Sequence, residues 1–183
     1  MKKRYNIALL PESSSESVIN LSSQFSSASA GYLLGKQSLP HVTLYQFLSD
    51  PNDIARIIQN LESSKIPRSI DLIFSHFSYI TFDDTIYWAS LLPNRIDELN
   101  AMHRDVAGMI AHPIKENYDP HMTLLSTRDK NYVSLFEPTE KVYTPIMDTF
   151  TLSIGESDNI GQLINIVHQF NIGKESHYQL RLR

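Results

Sequence analysis

Cysteine is absent from this 183-residue sequence, which excludes disulfide frameworks, thiol catalysis and cysteine-ligated zinc. No apolar run approaches the roughly 20 residues a membrane helix needs. The basic opening MKKR is followed by YNIALLP, too short and too soon interrupted by proline to resemble a secretory signal. The expectation is therefore a cytoplasmic protein without a membrane partner. Positive charge is also in short supply, with 16 basic against 20 acidic residues and a net charge of −4. That balance argues against gripping long duplex nucleic acid by neutralising many phosphates, while leaving room for a small phosphate-bearing ligand. GYLLGKQS at residues 31–38 has three residues between its glycines and Gln37 after Lys36. A phosphate-binding loop needs four, and Ser or Thr after the lysine. Neither H-E-x-x-H nor G-x-S-x-G occurs, so compact zinc-hydrolase and serine-hydrolase signatures are missing too.

What is present is an ordinary globular composition, 42% hydrophobic and 20% charged, enough to bury a substantial core in one domain spanning residues 1–183. YNIALLP reads as an opening strand ended by proline. In the serine-rich stretch after it, Val18, Leu21, Phe25 and Ala28 recur at helical spacing. LPHVTLYQF at residues 39–47 alternates like a strand. Asp50 then caps and Pro51 opens a helix whose Ile54, Ile57, Ile58 and Leu61 form one face. Residues 69–80 and 85–92 predict an antiparallel hairpin about Asp83-Asp84. A further helix over 95–111 carries the stripe Ile96, Leu99, Met102, Val106 and Met109 or Ile110. Its His103-Arg104-Asp105 reads as a solvated face. MDTFTLSIGE and NIGQLINIVHQF predict a closing hairpin about Ser157-Asp158-Asn159. The order strand, helix, strand, helix, hairpin, helix, strand, hairpin favours α+β with antiparallel sheets over a doubly wound parallel sheet.

One pentapeptide occurs twice with a single change: PHVTL at residues 40–44 and PHMTL at 120–124, 80 residues apart. Strand alternation puts His41, Thr43 and Tyr45 on one face and Val42 and Leu44 on the other. Two similar lobes packed about a pseudo-two-fold axis would turn the polar faces toward each other. His41 and His121 would then meet across a cleft, flanked by Thr43 and Thr123. Imidazole has an ordinary pKa of about 6.5 and serves as base or acid near neutral pH. Cleavage of a phosphodiester needs both: one group takes a proton from the attacking oxygen, the other protonates the oxygen that leaves. The threonine hydroxyls would hold the non-bridging oxygens. Such a site needs no metal, and a bell-shaped pH profile is expected of it. Tyr45, Tyr118 and Arg128 are candidates for substrate contacts, Tyr45 and Tyr118 by stacking on a base. Lys36 and Lys115 are the other basic residues nearest the motifs.

With His41-Val42-Thr43-Leu44 and His121-Met122-Thr123-Leu124 in hand, the sequence resembles the 2H phosphoesterases. The signature of that superfamily is two His-x-Thr/Ser motifs, each followed by an apolar position. Tyr118-Asp119-Pro120 before the second motif is similar to the lead-in of the bacterial 2′,5′-RNA ligase and cyclic-phosphodiesterase branch. The resemblance implies a bilobal α+β fold with the histidines in a central cleft. It also implies cleavage of 2′,3′-cyclic phosphates or other 2′-linked phosphodiesters without ATP, a cofactor or a metal. The expected partner is a nucleotide or short RNA end, and the expected state a monomer. Ligase-like members often carry arginine three residues after the second threonine; here Ser126 stands there and the nearest arginine is Arg128. Tyr45-Gln46 likewise departs from the small residue and aromatic that often follow the first motif. The alternatives are an ATP-independent 2′,5′-RNA ligase, and a non-catalytic module that captures RNA ends or phosphorylated metabolites.

Overall fold

The computed structural model describes residues 1–111, 113–114 and 118–170. Lys115, named above for its nearness to the second motif, lies outside the described residues. In chain order the elements are β1 (Lys3–Pro11), α1 (Ser15–Ser23), β2 (Val42–Ser49), α2 (Ile54–Glu62), β3 (Ser69–Thr81), β4 (Tyr87–Pro93), α3 (Ile96–Ala107), β5 (Met122–Thr127), α4 (Tyr132–Glu140), β6 (Ile146–Ser157) and β7 (Leu163–Gln169). No helix among the described residues is long and apolar enough to cross a membrane.

Local chemistry sets most of these boundaries. Pro11 closes β1. The Asp50 side chain accepts from the backbone N–H of Asn52, and Pro51 begins a short 3-10 turn that leads into α2, an entry suited to the fixed φ of proline. Asp83 accepts from the N–H groups of Thr85 and Ile86, and Asp84 takes a left-handed φ of 56° at the hairpin turn. Asp and Asn are the residues other than glycine that tolerate such a conformation best.

All strand pairs are antiparallel, in the order β2-β1-β6-β3-β4-β5, with β7 also on β6. β6 is shared: it pairs with β1 along Phe150–Glu156 and, on its other edge, with β3 along Ile146–Thr151 and with β7 along Ser153–Ser157. Two four-stranded leaves result, β2-β1-β6-β7 and β5-β4-β3-β6. In each leaf a motif strand is the outermost strand. The α+β, bilobal arrangement expected from the repeat is what the chain forms, and the two leaves hinge on one strand. A continuous core including Ile7, Leu9, Leu44, Phe47, Leu72, Leu91, Leu124, Phe136 and Phe150 runs through both.

The free edges of the motif strands are covered by segments from the opposite half of the sequence. Leu33 bridges to Leu125, with Leu34 N–H donating to Leu124 O and Ser126 N–H to Tyr32 O. On the other side Phe47 bridges to Pro113, and Ile114 N–H donates to Gln46 O. Covering an edge removes a template for unwanted pairing. Here it also ties the two leaves together at the place where their histidines meet.

Candidate active site

Each motif strand contains one extra residue at the same point. In β2, Thr43 lies opposite Ala8 and Tyr45 opposite Ile7, so Leu44 has no partner in β1. In β5, Thr123 lies opposite Ser90 and Leu125 opposite Ala89, so Leu124 has none in β4. These are β-bulges, which re-aim side chains beside active sites. They interrupt the alternation that the sequence suggested. Val42 and Leu44 are buried in the core as expected, but so are Tyr45 and Phe47. Past the bulge it is Gln46 that reaches the cleft and meets the closing turn, its Nε2 donating to Gly161 O at 2.8 Å. Tyr45 still lines the cleft, although its hydroxyl donates to Ile110 O at 2.8 Å.

His41 and His121 each precede their strand by one residue and are held alike. Nδ1 of His41 lies 2.7 Å from Leu39 O, and Nδ1 of His121 lies 2.8 Å from Asp119 O. A carbonyl oxygen only accepts, so in both rings Nδ1 carries hydrogen and Nε2 is the nitrogen left for chemistry. Both rings line one cleft together with Thr43 and Thr123.

Their surroundings differ. His41 is 7% exposed. Burial pushes its pKa down to about 4, with the Leu39 carbonyl opposing the shift and the nearby His121 adding to it. His121 is half-buried, and its Nδ1 also lies 3.4 Å from Asp119 Oδ2. The repeat makes the two histidines equal on paper; the fold makes one a buried neutral imidazole and places a carboxylate beside the other.

The cleft holds residues that the motifs did not announce. The turn between β6 and β7 brings in Ile160, Gly161 and Gln162. It is built on Asp158, whose Oδ1 accepts from the N–H groups of Ile160 and Gln162. Gly161 has φ of 93°, and a Cβ there would sit 2.5 Å from Gln46 Nε2; only glycine meets both demands. His103 was expected on a solvated face. Arg104 and Asp105 are exposed, but His103 turns inward: its Nδ1 donates to Leu44 O at 2.7 Å, and its ring stacks on Tyr118 at 4.3 Å and 4°. Tyr118 and Tyr45 line the cleft, whereas Arg128, exposed just past the end of β5, and exposed Lys36 are not among its walls. Ser126 is buried with its hydroxyl donating to Ala30 O. The helical period does set His103 beside the apolar stripe, four residues after Leu99 and three before Val106. Among the described residues no group of His, Asp and Glu converges in a way that would hold a metal ion.

The sequence model of the 2'-5' RNA ligase superfamily matches residues 12–151, which include both motifs. The chain belongs to this superfamily, the 2H phosphoesterases. Membership supports a phosphoesterase-like or ligase-like enzyme. Solved structures of the same fold include E. coli LigT complexed with 3'-AMP, at 14% identity and a TM-score of 0.59, and the same protein complexed with NADP+, at 15% and 0.54. A third, described as a phosphoesterase, matches at 12% and 0.51. Each comparison covers 93% of this chain and 98% of the other. No curated protein matches in sequence.

Proposed function

We propose that this 2H phosphoesterase is a metal-independent phosphodiesterase acting on 2′,3′-cyclic phosphates or 2′-linked phosphodiesters at nucleotide or short RNA ends. His41 serves as base and His121 as acid. The observation that carries the reading is the unlike pair of imidazoles, each anchored through Nδ1 and both facing one cleft. A buried imidazole with a pKa of about 4 is neutral at pH 7 and has a lone pair on Nε2 for a proton. The carboxylate of Asp119 lies 3.4 Å from Nδ1 of His121, a negative charge beside the ring assigned as acid.

In the forward step His41 Nε2 takes a proton from water as its oxygen bonds to phosphorus. The bond from phosphorus to one ribose oxygen breaks, and His121 Nε2 supplies that oxygen with a proton. A ribose phosphomonoester remains, and the two histidines have exchanged protonation states. Thr43 and Thr123 hydroxyls hold the non-bridging oxygens and stabilise the charge that builds there. That E. coli LigT has been crystallised with 3'-AMP and with NADP+ supports a nucleotide as the ligand class. Tyr118 supplies aromatic surface along the cleft for a base, whereas Tyr45 is buried in the core at its edge and Arg128 lies outside its walls. The same proposal takes the chain as one bilobal domain working as a cytoplasmic monomer.

The test is turnover of a panel of 2′,3′-cyclic nucleotides and 2′,5′-linked dinucleotides, with and without chelator. Hydrolysis should survive chelation and fall roughly 10²–10⁴-fold in His41→Ala and in His121→Ala. The acid limb of the kcat/KM profile should lie near the depressed pKa of His41, about 4. Tight binding of these ligands without turnover would instead favour a capture module, and joining of RNA ends by the same histidines would favour the ligase direction.

A further inference from the structure

The two bulges have a matched support that the catalytic reading does not use. Leu44 O accepts from Nδ1 of His103 on α3, at 2.7 Å. Leu124 O accepts from Oγ of Ser22 on α1, at 2.9 Å, and also from Leu34 N–H, at 2.9 Å. Each donor comes from the opposite half of the sequence. α1, which follows β1 of the first leaf, packs against β5 of the second; α3, which follows β4 of the second leaf, packs against β2 of the first. Ser22 and His103 are 81 residues apart, against 80 for both the histidine and the leucine pairs. Near-identical spacing, the same acceptor and the same exchange between halves mark Ser22 and His103 as counterparts in the repeat, although their side chains are unrelated.

The need for such a donor follows from the bulge. An extra residue has no partner across the ladder, so the strand itself does not fix the rotation of its peptide. A slip of one residue into regular pairing would also turn the following side chains to the wrong face. Ser22 illustrates the point, because a serine 0% exposed within an otherwise apolar contact needs a partner for its hydroxyl, and Leu124 O provides it. His103 does the same for Leu44 and, through its stack on Tyr118, also braces the segment leading into the second motif.

We propose that Ser22 and His103 are positioning residues for the phosphate-binding threonines, each pinning from the opposite half the bulged carbonyl next to one threonine. His103 acts on Thr43, and Ser22 acts on Thr123. The inference rests on the phosphoesterase reading for the role of the threonines, and goes beyond it by assigning the residues that aim them.

The test is a set of double-mutant cycles. His103→Phe keeps a ring to stack on Tyr118 and loses the donor; His103→Asn keeps a donor and loses the ring. His103→Phe and Ser22→Ala should each lower kcat about tenfold, as expected of a modest misplacement of a group that touches the reacting phosphate. His103→Asn and Ser22→Thr should recover most of the loss. Placed on Thr43→Val, His103→Phe should cost almost nothing further, yet on Thr123→Val it should keep its full effect. Ser22→Ala should show the mirror pattern, since only residues acting through one another are non-additive. The acid limb of the pH profile should not move in His103→Phe. Folded variants that retain wild-type kcat, or losses equal in every background, would overturn the assignment. The same cycles read as the Kd for inorganic phosphate need no turnover, so a chain that binds phosphate without hydrolysis would sink the proposed activity and still decide this inference. Absence of both would end both. Should Ser22→Ala fail to fold, the His103 cycle decides alone, as that side chain is only half-buried.

Discussion

At the residue scale the repeat and the fold say different things about His41. Its sequence context is nearly the same as that of His121, yet only His41 is carried into the protein interior, where burial lowers its pKa to about 4. The consequence reaches stability. A histidine near pKa 6.5 in the unfolded chain and about 4 in the folded one binds protons more readily when unfolded. Its contribution is thus complete above about pH 6.5 and is lost as pH falls toward 4. Between pH 7 and 4.5 the wild-type protein should lose about 2 kcal/mol of unfolding free energy through this group. Urea titrations at the two pH values should show a smaller drop in His41→Gln, and an equal drop would mean that His41 titrates normally in the fold. The quartet His41, Thr43, His121 and Thr123 was legible because it repeats. Gln46 and the turn around Gly161 were not, and the helical period places His103 next to the apolar stripe without naming its partners, because nothing local marks what packs across from a residue.

At the element scale most helices and strands follow their sequence signals. The hairpin about Asp83-Asp84, the Asp50-Pro51 helix entry and the closing hairpin stand where the pattern places them. Two features escaped. One is the pair of bulges, since a bulge made of Leu in a run of strand formers looks like any other strand. The other is α4, which carries Pro138 and exposes Val133 and Leu135. Neither its propensity nor its pattern announces a helix. Tertiary contact holds it instead. Phe136, fully buried, stacks on Phe25 at 4.1 Å and packs against Phe77 and Tyr79, while Tyr132 stacks on Tyr87 at 4.6 Å. Phe136→Ala should therefore cost about 3–5 kcal/mol, the usual range for a buried aromatic. The check is the midpoint of a urea transition with an unchanged slope; a loss under about 1 kcal/mol would show that α4 is held by something else.

At the scale of the whole molecule the two leaves share β6 and their motif strands are sealed by segments from the other half. The main apolar cluster runs through both leaves, and the only other one is the small group Ala8, Leu10 and Leu163 on the first leaf, among the described residues. Unfolding should accordingly be a single cooperative transition. Fluorescence of Trp88, on β4 in one leaf, should lose its native signal at the same urea concentration as far-UV circular dichroism, which reports on both leaves. Separated midpoints would show that the leaves unfold independently. What the sequence by itself determined is the family motif and the class of fold: two identical polar pairs on strand-like segments, and hydrophobic periods that choose helix or strand through local geometry. Only the tertiary structure decided which histidine is buried and how each threonine is aimed. Desolvation, bulge geometry and the helices that pin those bulges all depend on groups far away along the chain, and no local pattern encodes them.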